Sequence, residues 1–250
     1  MIVLKTNREF ELMREACRIS AGALKVAGEA VEPGVSTAQI DKIAYDYIVK
    51  HGAKPNFLNY AGYPATACIS VNNQVIHGIP SKDRIIKAGD IVSIDLGAEI
   101  NGFNGDNAAT FAAGDISPQA QRLCDVTKEC LYRGISACVA GGRIGDIGYA
   151  VQSYAEANGF SVVRDFVGHG VGRKLHEDPS VPNFGKQGRG IRIMPGMSLA
   201  IEPMINEGDY GVRQLSDGWT VVTRDGKLSA HFEHTVAVTT DSTVILTKLD

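Results

Sequence analysis

Two aspartates, Asp95 and Asp106, stand in the stretch I-V-S-I-D-L-G-A-E-I-N-G-F-N-G-D-N-A-A-T-F over residues 91–111. The stretch reads as a β-hairpin. An extended arm from Ile91 to Ala98 is rich in Val, Ile and Leu, Asn101-Gly102 is a strong turn signal, and a second arm runs from Phe103 to Phe111. A turn centred on the Ile100-Asn101 bond sets the two aspartates directly opposite each other. A turn one residue later pairs Asp106 with Gly97, which shares the face of Asp95 because strand side chains alternate. In either register two carboxylates share one face, with Cβ atoms roughly 5 Å apart if directly opposed. At that distance two negative charges repel by about 3 kcal/mol at an effective dielectric of ~20. A shared proton, a basic neighbour or a cation has to offset that repulsion.

The second half of the chain supplies three further groups. Glu202 precedes Pro203, which biases it toward extended backbone, and reads as part of a strand from Ser198 to Ile205. Glu233 lies in A-H-F-E-H-T-V-A-V-T, a strand with clean alternation after Phe232, and His169 sits between glycines in G-H-G-V-G. Taken singly, each has a plain structural explanation. The chain holds 28 acidic residues, and most acids are solvated surface groups. Yet Asp95 and Glu202 interrupt the apolar runs I-V-S-I-D-L-G and S-L-A-I-E-P-M-I, where an unpaired carboxylate is costly. Four carboxylates and one imidazole make a hard, oxygen-rich set that suits Mn²⁺, Fe²⁺ or Co²⁺ better than a thiolate-type zinc site. Five ligands exceed what one ion with an open position needs, so two ions sharing carboxylates fit the set better.

The elements that must position these groups follow from local patterns. Thr6-Asn7-Arg8-Glu9 has capping-box spacing, and Leu12, Ala16, Ile19, Ala23 and Ala27 recur at helical intervals, predicting a helix to about Glu29. Thr37 caps a second helix, with Ile40, Ile43, Ala44, Tyr47 and Ile48 inward and Gly52 at its end. Residues 55–80 read as loops and short strands. Ser117-Pro118 opens a third helix to about Val139, and Asp146 caps a fourth that stops at Asn158-Gly159. Short strands follow, with glycine-rich loops at 168–172 and 185–190. One constant offset aligns Leu24 with Leu131, Gly34 with Gly141, Ile40 with Ile147, Tyr47 with Tyr154 and Asp95 with Glu202. The inferred architecture is α+β: two αα-ββ halves, about 1–115 and 116–250, related by a pseudo-twofold around a central antiparallel sheet. Residues 1–250 are read as a single catalytic domain.

Composition bounds the partners. Hydrophobic residues make up 44% of the 250, charged residues 21%, and the net charge is −3, which gives no electrostatic reason to expect nucleic acid or an anionic membrane. Cys17, Cys68, Cys124, Cys130 and Cys138 show no CxxC spacing, and three of them fall in the third predicted helix. A reducing, cytoplasmic compartment fits better than a disulfide framework. The N-terminus lacks a signal-peptide core, and no run of about 18 apolar residues reads as a membrane span.

The strings I-D-L-G…G-D-N-A, G-H-G-V-G-R-K-L-H-E-D-P, I-E-P-M-I and F-E-H-T-V together resemble the type I methionine aminopeptidases, metallopeptidases of the pita-bread (creatinase/aminopeptidase) fold. The likeness runs from the first helix to Val244-Ile245-Leu246-Thr247, close to the minimal bacterial form without an N-terminal zinc-finger or linker extension. The resemblance implies hydrolysis of the N-terminal methionine from nascent proteins and peptides, favouring a small penultimate residue, by a metal-bridging hydroxide. It implies two divalent ions per chain, manganese, iron or cobalt, with zinc also admissible. Asp95, Asp106, His169, Glu202 and Glu233 match the ligands, Asp106 and Glu233 bridging. His77 matches a substrate contact near the scissile amide, His176 a hydrogen-bond donor to the carbonyl, and Glu202 also a proton shuttle. Phe57, Tyr60, Tyr63, Cys68, His77, Leu175 and Trp219 match the wall of the side-chain pocket. Leu175 replaces the family's usual Phe, Phe57 is bulkier than usual, and His231 stands where Gln is common, on the face of Glu233. The implied partner is a nascent N-terminus, with the ribosome a candidate meeting place and the chain a monomer. The nearest rival is an X-Pro aminopeptidase or dipeptidase of the same fold. Those enzymes usually carry a further His four residues before the G-H-G histidine, a position held here by Asp165.

Overall fold

The structure, a computed structural model, describes residues 2–248. The first half contributes helices α1 (Asn7–Glu29) and α2 (Thr37–Lys50), then strands β1 (Lys54–Pro55), β2 (Ala67–Val71), β3 (Gln74–Ile76), β4 (Ile91–Ile100) and β5 (Phe103–Ala112). The second contributes α3 (Pro118–Ala137) and α4 (Ile144–Ala157), then β6 (Ser161–Val162), β7 (Gly168–Gly170), β8 (Glu177–Val181) and β9 (Ser198–Ile201). It continues with β10 (Met204–Asn206), β11 (Val212–Gln214), β12 (Val221–Thr223), β13 (Ser229–His231), β14 (Glu233–Val238) and β15 (Thr243–Ile245). Among the described residues no helix is long and apolar enough to cross a membrane.

The helices start where side chains satisfy their free N–H groups. Thr6 and Glu9 form the expected capping box on α1. On α2 the cap is Ser36, one residue before the expected Thr37, because its hydroxyl accepts from Gln39 N–H while the Gln39 side chain accepts from Ser36 N–H. Asp146 does not cap α4. It lies in the first turn and accepts from Arg143 N–H at 2.7 Å, so the helix starts earlier, at Ile144. Helix α3 ends at Ala137, which leaves Cys124 and Cys130 inside it and Cys138 as its C-cap.

Nine strands form one antiparallel sheet in the order β1-β4-β5-β14-β9-β7-β8, with β2 pairing β4 and β15 pairing β14. The central four read the same from either side, hairpin strand β4 with β5 and β9 with β14, which is the pseudo-twofold of the sequence expressed in strand order. Each half has its own apolar core. One gathers Ile19, Leu24, Ile40, Ile48, Ile69 and Ile94; the other gathers Leu123, Leu131, Ile147, Val151, Leu199 and Val236. Helix α1 lies directly on the hairpin at Gly105, where a Cβ would come within 2.6 Å of the Cys17 backbone.

The hairpin turns at Asn101-Gly102, both at positive φ (55° and 73°), as a two-residue loop of this kind requires. Of the two registers open from sequence the later one forms: Gly97 faces Asp106, and Asp95 faces Ala108 rather than Asp106. Two further expectations are corrected. The glycines around His169 do not make a loop. Gly168 and Gly170 lie in β7, where an added Cβ would meet Ala200 O or Asp178 O at 2.3 Å, so they permit close strand packing. The runs Ser198–Ile205 and 229–238 are each broken. At Glu202-Pro203 and at Phe232 the two paired runs leave the large sheet together (β9 with β14) and enter a small one (β10 with β13). Pro203 has no N–H to continue a ladder, so the kink falls there.

Candidate metal centre and adjoining pocket

Those kinks set the site. Glu202 follows β9 and Glu233 opens β14, so both carboxylates stand where the paired strands bend. Asp95 and Asp106 reach the same place from the hairpin face, and His169 from the middle of β7, whose neighbour in β9 is Ala200. The acids and the imidazole line one cavity of about 240 Å³. Single ligand atoms of Asp106, His169 and Glu233, all buried, lie within 4.8 Å of one another. His169 Nε2 is 3.6 Å from Asp106 Oδ2 and 3.6 Å from Glu202 Oε1. All five residues picked from sequence therefore converge.

The electrostatics of this cluster call for a cation. Burial first, then the neighbouring acids, pushes the Asp95, Glu202 and Glu233 carboxyls well above the ordinary range. Burial raises Asp106 to about 7. Burial, and then His176, lowers His169 to about 3, so its ring is neutral. His169 Nδ1 lies 2.8 Å from Gly170 O. A carbonyl only accepts, so Nδ1 carries the proton and the bare Nε2 lone pair points among the carboxylates. Asp95 Oδ1, Asp106 Oδ1 and Glu233 Oε1 are buried with no hydrogen-bond partner among the described residues. A bare imidazole lone pair 3.6 Å from Asp106 Oδ2 and Glu202 Oε1, beside further carboxyl oxygens without partners, is well matched to a divalent ion. The donor set fits a metal.

Residues that sequence did not single out hold these ligands. The Thr235 hydroxyl accepts from Asp106 N–H at 3.2 Å and donates to Asp106 O at 2.7 Å, across the join of the two halves. The Thr110 hydroxyl, also across that join, donates to His231 O at 2.9 Å and accepts from His231 N–H at 3.0 Å. Asn183 donates to Glu202 O at 3.0 Å. Each is a polar residue in an apolar neighbourhood, but its partner is far away in sequence, so no local pattern marks it. His231 does lie by the site, with Nε2 3.8 Å from Glu202 Oε2, as alternation with Glu233 suggested.

The rest of the cavity wall is aromatic and apolar: Phe57, Tyr60, Tyr63, Cys68, Leu175 and Trp219, with His77 and His176. Every wall position named from sequence is present. His77 follows β3 at φ 58°, and Trp219 lies between β11 and β12, which share a sheet with β3. That small sheet brings the two rings edge-on at 6.2 Å. Burial, then His176, lowers His77 to about 4. His176 is exposed at the mouth, its ring 4.1 Å from that of His169.

Comparison with known proteins agrees with this geometry. The model of metallopeptidase family M24 matches residues 11–240. A methionine aminopeptidase of Clostridium perfringens is 55% identical over 247 residues, 99% of each chain. Methionine aminopeptidase 1 of Bacillus subtilis is 49% identical over 249 residues and the full length of both. The crystal structure of methionine aminopeptidase from Thermotoga maritima superposes with a TM-score of 0.98 at 44% identity, covering 100% of both chains. The prolidase of Pyrococcus furiosus shares the fold at TM-score 0.81 but is 22% identical, and 66% of it is covered.

Proposed function

The chain belongs to metallopeptidase family M24, among its methionine aminopeptidases, and from that premise we propose that it strips N-terminal methionine from nascent proteins with two divalent ions held by Asp95, Asp106, His169, Glu202 and Glu233. Asp106 and Glu233 would be the ligands shared between them. Manganese, iron or cobalt suits so oxygen-rich a set, and zinc is admissible. When bound, such ions polarise a carbonyl and lower the pKa of water enough to supply a nucleophile near neutral pH.

The remaining tasks fall to side chains. Glu202, in the same cluster, would accept a proton from the attacking water and return it to the leaving amine. His176 donates a hydrogen bond to the carbonyl oxygen as charge develops there, and His77 contacts the substrate beside the scissile amide. The methionine side chain enters the wall of Phe57, Tyr60, Tyr63, Cys68, Leu175 and Trp219. The free α-amine of the substrate, which an internal peptide bond lacks, would bind one of those ions, so the activity is that of an exopeptidase. A small penultimate residue is favoured. We place the enzyme in the cytoplasm as a monomer made of one catalytic domain, meeting N-termini as they leave the ribosome; five free, buried thiols support a reducing compartment.

The observation that carries this reading is that one cavity is lined by both the five ligand candidates and the apolar wall. Initial rates on Met-Gly-Met-Met, with Mn²⁺ or Co²⁺ titrated from zero into chelated protein, test it. Activity should rise from nothing to a plateau, with Met-Gly peptides cleaved faster than Met-Arg peptides. Preferential cleavage of X-Pro peptides, or full activity in chelator, would overturn it.

A further inference from the structure

Tyr60 and His176 meet at the mouth of the pocket, one from each half of the chain. His176 Nδ1 lies 2.9 Å from the Tyr60 hydroxyl, and the rings stack at 5.2 Å with 29° between their planes. Among the described residues the phenol is the hydrogen-bond partner of that nitrogen. Both walls are fixed from behind. Tyr60 is flanked by Asn59 and Ala61 at φ 66° and 48°, left-handed conformations that non-glycine residues adopt at a cost. The bend is closed by Asn59 N–H donating to Tyr63 O at 2.8 Å, and the Tyr63 hydroxyl lies 3.0 Å from Ala67 O and 2.9 Å from Gly78 O. On the other wall, the Lys5 ammonium meets Glu177 Oε2 at 2.6 Å, and Lys174 N–H donates to Glu177 Oε1 at 3.1 Å. Asn104 donates to Gly172 O at 3.0 Å and to Arg173 O at 3.2 Å. The turn that carries His176 is thereby held in place.

In its neutral form the His176 ring carries one N–H, on one nitrogen or the other. Two arrangements satisfy the contact with the phenol. If Nδ1 donates to the phenol oxygen, Nε2 offers only a lone pair, which repels a carbonyl oxygen. If the phenol donates to Nδ1, the proton is on Nε2 and can be given in a hydrogen bond.

We propose that Tyr60 is a positioning residue: its O–H donates to His176 Nδ1 and fixes the tautomer that presents Nε2–H to the substrate carbonyl oxygen. The proposal rests on the role given to His176 above.

Tyr60→Phe keeps the stacking ring and removes the donor. In ¹⁵N spectra of the metal-free chain, His176 should show a protonated Nε2 and a bare Nδ1. In Tyr60→Phe the two tautomers should mix. With Met-Gly-Met-Met the variant should lose about tenfold or more in kcat, the usual scale for outer partners of a functional imidazole, with KM nearly unchanged. In a His176→Ala background the same substitution should change kcat no further. A bare Nε2 in the parent overturns the proposal, and so does a Tyr60→Phe variant with parental tautomer and kcat while His176→Ala is crippled. A rise in KM alone would make Tyr60 pocket wall and nothing more. If His176→Ala itself keeps parental kcat, the role of His176 falls, and the proposal with it.

Discussion

Asp95 and Asp106 ride on an unbroken ladder that runs from Ile91↔Ala112 to Ile100↔Phe103, whereas Glu202 and Glu233 stand where paired strands leave one sheet for another. In the hairpin, position along the strand comes first in fixing a carboxylate: the turn sets the register and alternation sets the face, and the Thr235 hydroxyl on the Asp106 backbone adds to that. In the second half, position depends on a kink at Pro203 and Phe232, and kinks need external support. That support is Asn183 on the Glu202 carbonyl, and the Thr110 and Thr235 hydroxyls across the join. The lesson is that one pseudo-twofold can be realised by two different mechanical solutions, one local and one dependent on distant partners.

The largest test of that contrast lies within the hairpin. Asp106→Asn, removing a shared ligand, should abolish binding of both ions and lower kcat/KM by about a thousandfold, the several kcal/mol a metal contributes to a transition state. Asp95→Asn should cost mainly one ion. Metal content by mass spectrometry decides between them, and two ions retained by Asp106→Asn would refute the sharing. Next in size, chelation should lower stability by about 2.7 kcal/mol per ion relative to protein at a hundredfold excess of metal over its Kd.

The pH dependence of the metal-free chain has a definite sign. Asp106 has its folded pKa raised to about 7, above the value near 4 of an unfolded aspartate. Its contribution to stability is therefore complete below about pH 4 and is lost as pH rises through about 7. Metal-free protein should unfold at lower urea at pH 8 than at pH 5 as far as this group decides it. Metal binding should release protons and weaken as pH falls, which calorimetry in buffers of different ionisation enthalpy reads directly. The smallest effect should separate the two mechanical solutions. Thr235→Val, at the join, should cost about 1–3 kcal/mol, as a buried polar group left without its partner does. Ser93→Ala, which removes a hydroxyl bonded to Thr110 from inside the ladder, should cost less, about 1 kcal/mol, because the ladder persists. Equal losses in denaturant titrations would erase the distinction.

What was legible in the sequence follows the same division. The hairpin was readable because Asn101-Gly102 is a local signal, although choosing between two registers needed the observed turn, with both residues at positive φ. Asp95 and Glu202 stood out because each interrupts an apolar run, Asp106 because it shares the hairpin face of Asp95, and Glu233 because it lies in an alternating strand. The strand nature of Gly168–Gly170 was hidden, since glycine serves close packing and loops alike, and only the approach of Ala200 and Asp178 shows which. The kinks at Glu202-Pro203 and Phe232 were hidden because they are imposed by a change of sheet. The Tyr60–His176 and Lys5–Glu177 contacts join residues 116 and 172 positions apart, where no local pattern reaches.

The halves join at β5 with β14, through Glu233↔Ala108 and His234↔Asn107 backed by the two threonines, at β3 with β12 in the small sheet, and through two apolar clusters, one setting Phe10 and Phe103 against Val171 and Ala237, the other Ile76 against Val221. Because each half buries its own apolar cluster, each can collapse around contacts closer in sequence than those across the join. Loop-closure entropy then makes the join a late event in folding. A chain stalled just before it would have native helices and hairpin, and a normal far-ultraviolet spectrum, yet Asp106 and Glu233 would still be apart. In a refolding experiment the metal would act as a clock for the last step, its binding lagging behind the recovery of secondary structure.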